Sequence, residues 1–372
     1  MKKISIILFD LGGGGAERLH IYLANDWAKR GILVELVVLR KKGELLSLVD
    51  EGVVVTGLDV DRIRHAFLPL AAHIRKSKPV VTLVAMWPLT SVSIIAWLIA
   101  GKLGRIFTID HTPPSVTRVE ELKVSLLFLK SLMRITYPIA DGLIAVSQGV
   151  KGDLCQLGNF SKEKVRVIYN PATTGVSTKR EIFDVRTNLW GSGFKHHILS
   201  VGTLKVQKDH ETLIKAFALL PSELNAKLVI LGEGQLRIQL SQLVDKLGLQ
   251  NRVELPGFVL DPADWYRSAD LFAYSSRWDG LPLVLIEALE FGLPIVSTDC
   301  PSGPAEILQN GLYGKLVPVQ DPKALAYAIE QGLNEDHDSS ALMMRAQDFS
   351  LKKISDEYLD YMFPNGYQDE LV

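Results

Sequence analysis

Cysteine is scarce in this sequence, with two residues in a chain of 372. Cys155 and Cys300 lie far apart, and neither belongs to a CxxC motif or to a Cys/His cluster. A disulfide framework and a structural zinc site are therefore excluded as organising features of the fold. The expectation that follows is a reducing, cytoplasmic environment.

A targeting segment is also lacking. The start, MKKISIILFD, has a basic tip and a short apolar run, but the run ends in glycines rather than at an A-x-A site, which favours a strand. Residues 80–101 form a stretch of 22 residues without a charge, which could cross a bilayer by length alone. Because Pro88 and a Ser/Thr cluster interrupt it, the run instead indicates a buried strand, a turn and a buried helix.

Net charge is nearly absent, at −1, but this balance hides an asymmetry between the two halves. Residues 1–175 carry 23 Lys and Arg against 15 Asp and Glu, whereas residues 176–372 carry 18 against 27. A basic first half suits an anionic partner such as phospholipid or a pyrophosphate-linked acceptor. Nucleic acid is the less favoured partner, because no RNP, zinc-finger or arginine-rich signature is present.

What is present is an alternation of apolar strands and helical stretches through both halves, which is typical of parallel sheets covered on both faces. The predicted strands are 4–9, 33–39, 53–58, 80–85, 105–109, 142–146, 197–202, 227–232, 253–258, 271–276 and 294–299. The fold class is therefore α/β, with two doubly wound, Rossmann-like domains. The predicted organisation is an N-terminal acceptor-binding domain at 1–172, a linker at 173–194, a C-terminal nucleotide-sugar-binding domain at 195–350, and a final helix and tail at 351–372 that packs back on the first domain.

The first strand runs directly into four glycines, in the stretch ILFDLGGGGAERLHIYLA. Glycine allows positive φ and close approach of a ligand to the backbone, so phosphate is the first candidate. The spacing does not match the dinucleotide fingerprint G-x-G-x-x-G, since Glu17 or Arg18 falls where the third glycine belongs, and no Walker lysine follows. The loop by itself leaves a nicotinamide cofactor open.

A second feature of the first half is an amphipathic stretch at 120–138. Leu122, Leu126, Leu129 and Met133 form one helical stripe, and Lys123, Lys130 and Arg134 lie beside it. Such a helix suits the surface of an anionic membrane, and it equally suits packing of its apolar stripe on its own domain.

The second half carries the densest chemistry. In SVGTLKVQKDHETLIKAF, a strand ends at Gly202, a loop carries Thr203, Lys205 and Lys208, and a helix opens near Asp209 or His210. Ammonium groups and helix N–H donors at the carboxyl end of a strand suit a diphosphate, although such lysines are often merely solvated.

Two acidic residues follow in SSRWDGLPLVLIEALEFG. Asp279 precedes a helix predicted to start at Pro282, and Glu287 lies in its second turn among apolar residues. A buried carboxylate needs a partner, and paired ribose hydroxyls can each donate to one. A metal site is not predicted, because no further ligand stands at suitable spacing.

The run from Ser275 to Ala288 resembles the signature of the retaining glycosyltransferases of the GT-B fold, group 4 in the common classification, also called glycosyl transferases group 1. Further matching segments occur in the same order along nearly the whole chain. They are GGAERL, IAVSQGVKGDL, VIYNP, VGTLKVQKD, LVILGEG, VELPGF and GLYGKLVPVQDPKALAYAI.

The resemblance implies roles for individual residues in a cleft between two facing domains. Lys208 would bind the donor diphosphate, Glu287 the ribose, and Asp279 and His111 the region of the donor sugar. The backbone around Gly280, Leu281 and Leu283 would face the sugar and β-phosphate, with Gly13 and Gly14 on the opposite wall. Glu306 is expected in a structural role at a helix start.

Two positions depart from the family pattern. Asp279 stands where glutamate is usual, and Thr203 stands where arginine is frequent, which leaves Lys205 to supply that charge. Either change could retune or reduce activity.

The implied reaction is metal-independent and cofactor-free transfer of a sugar from a nucleotide-diphosphate donor to a hydroxyl, with retention at the anomeric carbon. A UDP-sugar is the favoured donor. A lipid-linked or membrane-surface glycan in polysaccharide biosynthesis is the preferred acceptor, with peripheral location on the inner face of the cytoplasmic membrane. The alternatives are a soluble acceptor, a nucleotide-sugar epimerase on the same fold, or a non-catalytic nucleotide-sugar-binding subunit.

Overall fold

The chain forms two compact units, one made of Met1–Pro171 with Leu351–Val372 and the other of Ala172–Ser350. The structure is a computed structural model that describes residues 3–12, 14–119, 123–171, 186 and 188–367. Most of the predicted linker at 173–194 lies outside the described residues.

The first unit is built on a parallel sheet of seven strands. These strands are β1 (Lys3–Leu8), β2 (Leu33–Val38), β3 (Val53–Gly57), β4 (Val81–Ala85), β5 (Arg105–Asp110), β6 (Gly142–Ala145) and β7 (Val165–Val167). Their order is β3-β2-β1-β4-β5-β6-β7, and every pairing between neighbours is parallel. The strand order reverses between β1 and β4, which places a topological switch point at the carboxyl ends of those two strands.

Helices connect these strands and cover the sheet. They are α1 (Gly15–Lys29), α2 (Phe67–Ser77), α3 (Leu89–Ile99), α4 (Pro114–Thr117), α5 (Leu126–Thr136) and α6 (Gln148–Gly158). The strands read as continuous apolar runs because both faces of a covered parallel sheet are buried, as Ile4, Ile6 and Ile7 illustrate with exposures of 1% or less.

The second unit repeats this plan with six strands. They are β8 (His196–Val201), β9 (Ala226–Leu231), β10 (Val253–Gly257), β11 (Leu271–Tyr274), β12 (Ile295–Thr298) and β13 (Lys315–Val317), in the order β10-β9-β8-β11-β12-β13. All five pairings are parallel. The order reverses between β8 and β11, so this sheet has its own switch point.

The helices of the second unit bury an apolar cluster that includes Leu213, Phe217 and Ile329 against the sheet. They are α7 (His210–Ala218), α8 (Arg237–Lys246), α9 (Ala263–Ser268), α10 (Leu283–Glu290), α11 (Pro304–Ile307), α12 (Pro322–Asn334) and α13 (Ser339–Ala346).

The last helix, α14 (Leu351–Met362), packs on α1 in the first unit. The Trp27 indole donates a hydrogen bond of 2.9 Å to Ser355 Oγ, and Arg30 pairs with Asp356. The Tyr361 ring meets Phe107 edge-on at 5.5 Å. These contacts join the end of the chain to the beginning of the first unit.

The α/β class and the two Rossmann-like sheets are confirmed, and each predicted strand is present with its ends shifted by two residues or fewer. Two edge strands, β7 and β13, were not predicted, because three residues are too few to show a periodic pattern.

The uncharged run at 80–101 forms β4 and α3, as predicted. Within the described ranges, no helix is both long enough and apolar enough to cross a membrane.

The amphipathic stretch forms α5, which begins after Ser125, whose hydroxyl accepts from the backbone N–H of Phe128. Leu129 and Met133 of the predicted stripe are fully buried, and Leu122 lies outside the described residues. Leu126, also of this stripe, is 36% exposed. Packing of the stripe on its own domain is therefore confirmed for Leu129 and Met133, and a membrane role for the helix stays a prediction.

Candidate active site

A lysine loop follows β8 at the switch point of the second sheet. After Gly202 the chain passes Thr203 and Lys205, makes a short 3-10 turn at Val206–Lys208 and enters α7 at His210. Thr203 is exposed and Lys205 is half-buried. The predicted start of the helix is confirmed.

The glycines of the LGEG segment allow close packing against this loop. A Cβ on Gly232, where φ is +145°, would lie 2.1 Å from the carbonyl oxygen of Gly202. A Cβ on Gly234 would lie 2.4 Å from the carbonyl oxygen of Leu204. Larger residues at these two positions would therefore push the lysine loop away from the sheet edge.

The loop after β11 is bound to the lysine loop by several hydrogen bonds, which include one from Gln207 Nε2 to the carbonyl of Trp278 at 2.9 Å. Ser275 Oγ donates to the carbonyl of Lys208 at 2.8 Å, and the N–H of Arg277 donates to the carbonyl of Gln207 at 2.8 Å. The Arg277 guanidinium also donates to the buried Asp209 at 3.1 Å. Because both loops start at the two central strands of the switch point, their side chains converge.

Lys208, Asp279 and Tyr274 form one polar cluster at this edge. Lys208 Nζ lies 2.5 Å from Asp279 Oδ2 and 3.2 Å from the Tyr274 hydroxyl, and that hydroxyl donates to Asp279 Oδ2. Burial acts to raise the pKa of Asp279, but Lys208 and the hydrogen bonds outweigh it and hold that pKa below its usual range. Burial and the neighbouring carboxylate raise the pKa of Tyr274 well above its usual value, so the phenol stays protonated.

The loop that starts α10 is bound tightly around this carboxylate. The N–H of Gly280 donates to Asp279 Oδ1 at 2.8 Å, and Ser302 Oγ donates to the carbonyl of Gly280 at 2.9 Å. In this structure the Asp279 side chain accepts the N–H of Gly280, and the expected role of this N–H in donor binding stays a prediction. Leu281 is buried, and Leu283 is the first residue of α10, where backbone N–H groups lack intrahelical acceptors.

Glu287 lies in the second turn of α10, as predicted, and is half-buried. The hydroxyl of Tyr266 in α9 donates to Glu287 Oε2 at 2.7 Å, and the Tyr266 ring stacks between Phe272 and Phe291. A carboxylate has further acceptor sites beyond this bond. Tyr266 therefore orients the carboxylate of Glu287.

The glycine loop of the first unit starts at the switch point of the other sheet. Gly14 is the N-cap of α1, and its carbonyl accepts from the N–H of Arg18 at 3.2 Å. The N–H of Gly12 donates to Asp10 Oδ1 at 3.2 Å. Gly13 lies outside the described residues.

His111 follows β5 at the same edge and is 6% exposed. Its ring meets that of His20, from α1, edge-on at 5.1 Å. Neither ring nitrogen of His111 has a hydrogen-bond partner of normal geometry in the described part of the chain, although Asn170 lies nearby. Burial and His20 lower the pKa of His111 well below its usual range, and burial lowers the pKa of His20 to about 4. Both imidazoles are neutral at physiological pH.

Asp110 ends β5 directly before His111. Its carboxylate accepts from the Trp87 backbone N–H at 3.3 Å and from the Tyr137 hydroxyl at 2.9 Å. Burial raises the pKa of Asp110 to about 7. Asp110 therefore links the end of β5 to the loop after β4 and to Tyr137, which follows α5.

Three residues of these clusters were missed by the sequence analysis: Tyr274, Tyr266 and His20. Tyr274 is the last residue of β11, so its place at a strand end was the available signal. No local pattern marks Tyr266 or His20, because their partners are distant in sequence. Glu306 lies in the first turn of the short helix α11, in agreement with its expected helix-start position.

Among the residues that the structure describes, no three or more His, Cys, Asp or Glu side chains are grouped to hold a metal ion.

Two Rossmann-like parallel sheets in one chain are the architecture of the GT-B class of α/β protein. Solved structures share this fold: Anabaena HepE in complex with UDP-glucose superposes with a TM-score of 0.81 at 22% identity, covering 96% of this chain and 98% of that one. The apo lipopolysaccharide outer core galactosyltransferase WaaB gives a TM-score of 0.72 at 20% identity, covering 98% and 99% of the two chains.

Sequence comparison supplies the family. The model of glycosyltransferase family 4 matches residues 13–175, and that of glycosyl transferases group 1 matches residues 192–348. A GalNAc transferase of Campylobacter jejuni that acts on a diphospho-undecaprenol glycan is 28% identical, over 97% of this chain and 100% of its own. The chain belongs to the group 1/family 4 glycosyltransferases of the GT-B fold, so the predicted family is confirmed and the protein is a glycosyltransferase.

Proposed function

We propose that this enzyme transfers a sugar, with retention, from a UDP-sugar to a hydroxyl of a lipid-linked or membrane-surface glycan in polysaccharide biosynthesis. The observation that carries the proposal is the cluster of Lys208, Asp279 and Tyr274, formed by the loops after β8 and β11. Open α/β sheets bind ligands at this switch point, and Glu287 stands on the helix that follows the second loop.

In the proposed mechanism, the diphosphate leaves the anomeric carbon with the electron pair of the glycosidic bond. The acceptor oxygen forms the new bond from the same face, and its proton passes to an oxygen of the leaving phosphate. Lys208 stabilises the negative charge that develops on that phosphate. Because a positive side chain can take this part, the reaction as proposed needs no divalent metal.

Asp279 orients the donor sugar rather than attacking it. Its carboxylate is held by Lys208, by Tyr274 and by the N–H of Gly280, so it is a fixed acceptor for sugar hydroxyls. In the donor complex, Lys208 would exchange part of its contact with Asp279 for the diphosphate. Glu287, oriented by Tyr266, would accept from the ribose hydroxyls.

The donor and acceptor classes draw support from the relatives. The fold neighbour HepE has been crystallised with UDP and with UDP-glucose. The Campylobacter relative acts on a diphospho-undecaprenol substrate, and LpsE of Rhizobium meliloti, 28% identical over 94% of this chain and 96% of its own, belongs to lipopolysaccharide core biosynthesis. The excess of Lys and Arg in residues 1–175 fits an acceptor that carries a diphosphate.

Thermal stabilisation across UDP-, GDP- and ADP-sugars, followed by transfer assays, tests the proposal. A bound UDP-sugar raises the unfolding temperature by mass action, and GDP- and ADP-sugars should do so less. With an undecaprenyl-diphosphate glycan as acceptor, free UDP and an elongated α-linked product should form from an α-linked donor, also in the presence of EDTA. Absence of stabilisation by any donor would refute the donor site.

The same assays separate the alternatives. An epimerase would convert the donor sugar without an acceptor, whereas a non-catalytic subunit would bind the donor and release no UDP. A Lys208→Gln variant serves as the matched control, since it removes the charge and retains a side chain of similar length.

A further inference from the structure

The first unit has an exposed apolar surface on helix α5, whose other face buries Leu129 and Met133. Four of the eleven residues of α5 are exposed large hydrophobics: Leu126 at 36%, Leu127 at 77%, Phe128 at 56% and Ile135 at 67%. Single exposed apolar residues are ordinary on protein surfaces, but such a group on one short helix marks an interaction site.

Helical geometry places three of these residues on one face. Leu127, Phe128 and Ile135 stand at positions i, i+1 and i+8, and Ser131 and Arg134 fall between them on the same exposed side. The opposite face is fixed inside the unit by Leu129, Met133 and Thr136, and the Thr136 hydroxyl hydrogen-bonds Ser91 at 3.0 Å. The orientation of the helix therefore keeps the outer apolar group in solvent.

Basic side chains flank this apolar group. Arg134 and Lys123 are exposed and Lys130 is half-buried, and the sequence has no acidic residue from 122 to 140. An apolar strip bordered by Lys and Arg is the pattern of a helix that lies in the interface of an anionic bilayer. The charge favours anionic lipid over an uncharged protein surface.

The position of α5 in the sheet connects this surface to the candidate site. Strand β5 ends at Asp110, His111 follows at the carboxyl edge, and α5 returns the chain to the amino end of β6. The first turn of α5, with Leu127 and Phe128, thus starts on the edge of the first unit that carries His111. A lipid surface bound there would hold a lipid-linked acceptor near this edge.

We infer that the outer face of α5, defined by Leu127, Phe128, Lys130, Arg134 and Ile135, docks the enzyme on an anionic phospholipid membrane. This inference rests on the proposed function, because docking on a membrane brings the enzyme to a lipid-linked acceptor. The binding event itself requires neither donor nor transfer, so the two can be tested separately.

Vesicle flotation of the full chain tests the docking face. We expect the protein to float with phosphatidylcholine vesicles that contain phosphatidylglycerol, and to float at least tenfold less with pure phosphatidylcholine. A triple variant, Leu127→Ser with Phe128→Ser and Ile135→Ser, should lose at least tenfold in partition. A Lys130→Gln, Arg134→Gln variant should lose the preference for phosphatidylglycerol.

A matched control removes exposed apolar side chains from the second unit: Ile238→Ser, Leu312→Ser and Met344→Ser, at 71%, 70% and 74% exposure. It should float like the unchanged protein.

Phe128→Trp gives a second readout, since the fluorescence of the introduced indole should be quenched by brominated lipids in anionic vesicles. Equal flotation of the triple variant and the unchanged protein would overturn the inference, as would absence of flotation or of quenching.

Turnover of a short-chain, water-soluble acceptor in the absence of vesicles separates this result from the proposed function. The triple variant should retain that turnover and its stabilisation by UDP within twofold. Failure of turnover in the unchanged protein would count against the proposed function, whereas failure of flotation with intact turnover would count against the docking face.

Discussion

The carboxyl edges of the two sheets of this glycosyltransferase differ in the charge of the side chains that cluster there. At the edge of the second unit, Lys208 and Asp279 form a buried ion pair that Tyr274 supplements with a hydrogen bond. At the edge of the first unit, His20 and His111 are buried and neutral. Arg40 and Asp10 form an ion pair at this first edge as well, so the contrast lies in the uncharged pair of histidines. Under the proposed function, the charged donor is recognised in the second unit.

This contrast runs against the overall charge, because the second half carries the excess of Asp and Glu and the first half the excess of Lys and Arg. Under the proposed function, the local arrangement around Lys208 and not the net charge decides where the diphosphate binds. The excess of Lys and Arg in the first half can then interact with an anionic surface, as we infer for the basic side chains beside the outer face of α5.

The largest effect should come from removing the charge at the second edge. Lys208→Gln should lower kcat/KM by roughly 10²- to 10³-fold, because a fixed charge on the leaving group acts mainly in the transition state. Steady-state release of UDP measures this. Lys205→Gln, in the same loop, is the matched control and should lower kcat/KM less than tenfold. Equal losses of kcat/KM in the two variants would contradict a specific role of Lys208 at the leaving group.

The length of the Asp279 side chain offers a second test of the edge of the second unit. Asp279→Glu adds a methylene to a buried cluster and should lower activity by roughly tenfold, although glutamate is usual in the family. Tyr274→Phe removes the hydroxyl that Asp279 accepts from, so the double variant should lose less than the two single losses combined. A double-mutant cycle on kcat/KM measures the coupling. Additive losses would contradict the proposed fit between the two side chains.

Asp110, at the edge of the first unit, gives a smaller, pH-dependent prediction. The pKa of Asp110 is raised to about 7, so between about pH 4 and 7 the folded state keeps a proton that the unfolded chain has released. The free energy of unfolding therefore falls as pH rises through this window. Asp110→Asn retains an acceptor for the Trp87 N–H and should remove this loss, gaining roughly 2 to 3 kcal/mol relative to the unchanged protein between pH 5 and pH 8.

Urea unfolding at the two pH values checks this gain, with Asp141→Asn as the control. Asp141 also accepts a backbone hydrogen bond, from Ile106, at the end of the sheet where β6 begins. A parallel pH dependence in the Asp110 variant and the unchanged protein would show that Asp110 is not the titrating group.

Much of the fold could be predicted from sequence, because apolar strands alternating with helices specify a covered parallel sheet locally. Lys208, Asp279 and Glu287 could be singled out by their positions after strands and by the family resemblance. The partners that orient them could not. Tyr266 reaches Glu287 across 21 residues and Tyr274 reaches Lys208 across 66, so neither contact leaves a local pattern.

The exposure of the outer face of α5 could not be predicted from the sequence for a related reason. The stretch contains two apolar sets, and the one with regular helical spacing, Leu126, Leu129 and Met133, attracts attention first. Which set packs inward depends on the neighbouring helix α3, through contacts such as that between Ser91 and Thr136. Periodicity alone therefore did not show that the second set, Leu127, Phe128 and Ile135, stays exposed.

The central claim is that the nucleotide binds in the second unit. The glycine loop of the first unit is expected to contribute to sugar transfer and not to nucleotide binding. Calorimetric titration of UDP into Glu287→Gln and Gly14→Val proteins tests it most directly. Gly14 has extended backbone angles, and an added Cβ meets the flexible Glu17 side chain, so the fold should tolerate valine. The account predicts that Glu287→Gln weakens UDP binding at least tenfold and that Gly14→Val leaves it within twofold while slowing transfer. Loss of UDP binding in the Gly14 variant, with binding retained in the Glu287 variant, would contradict it.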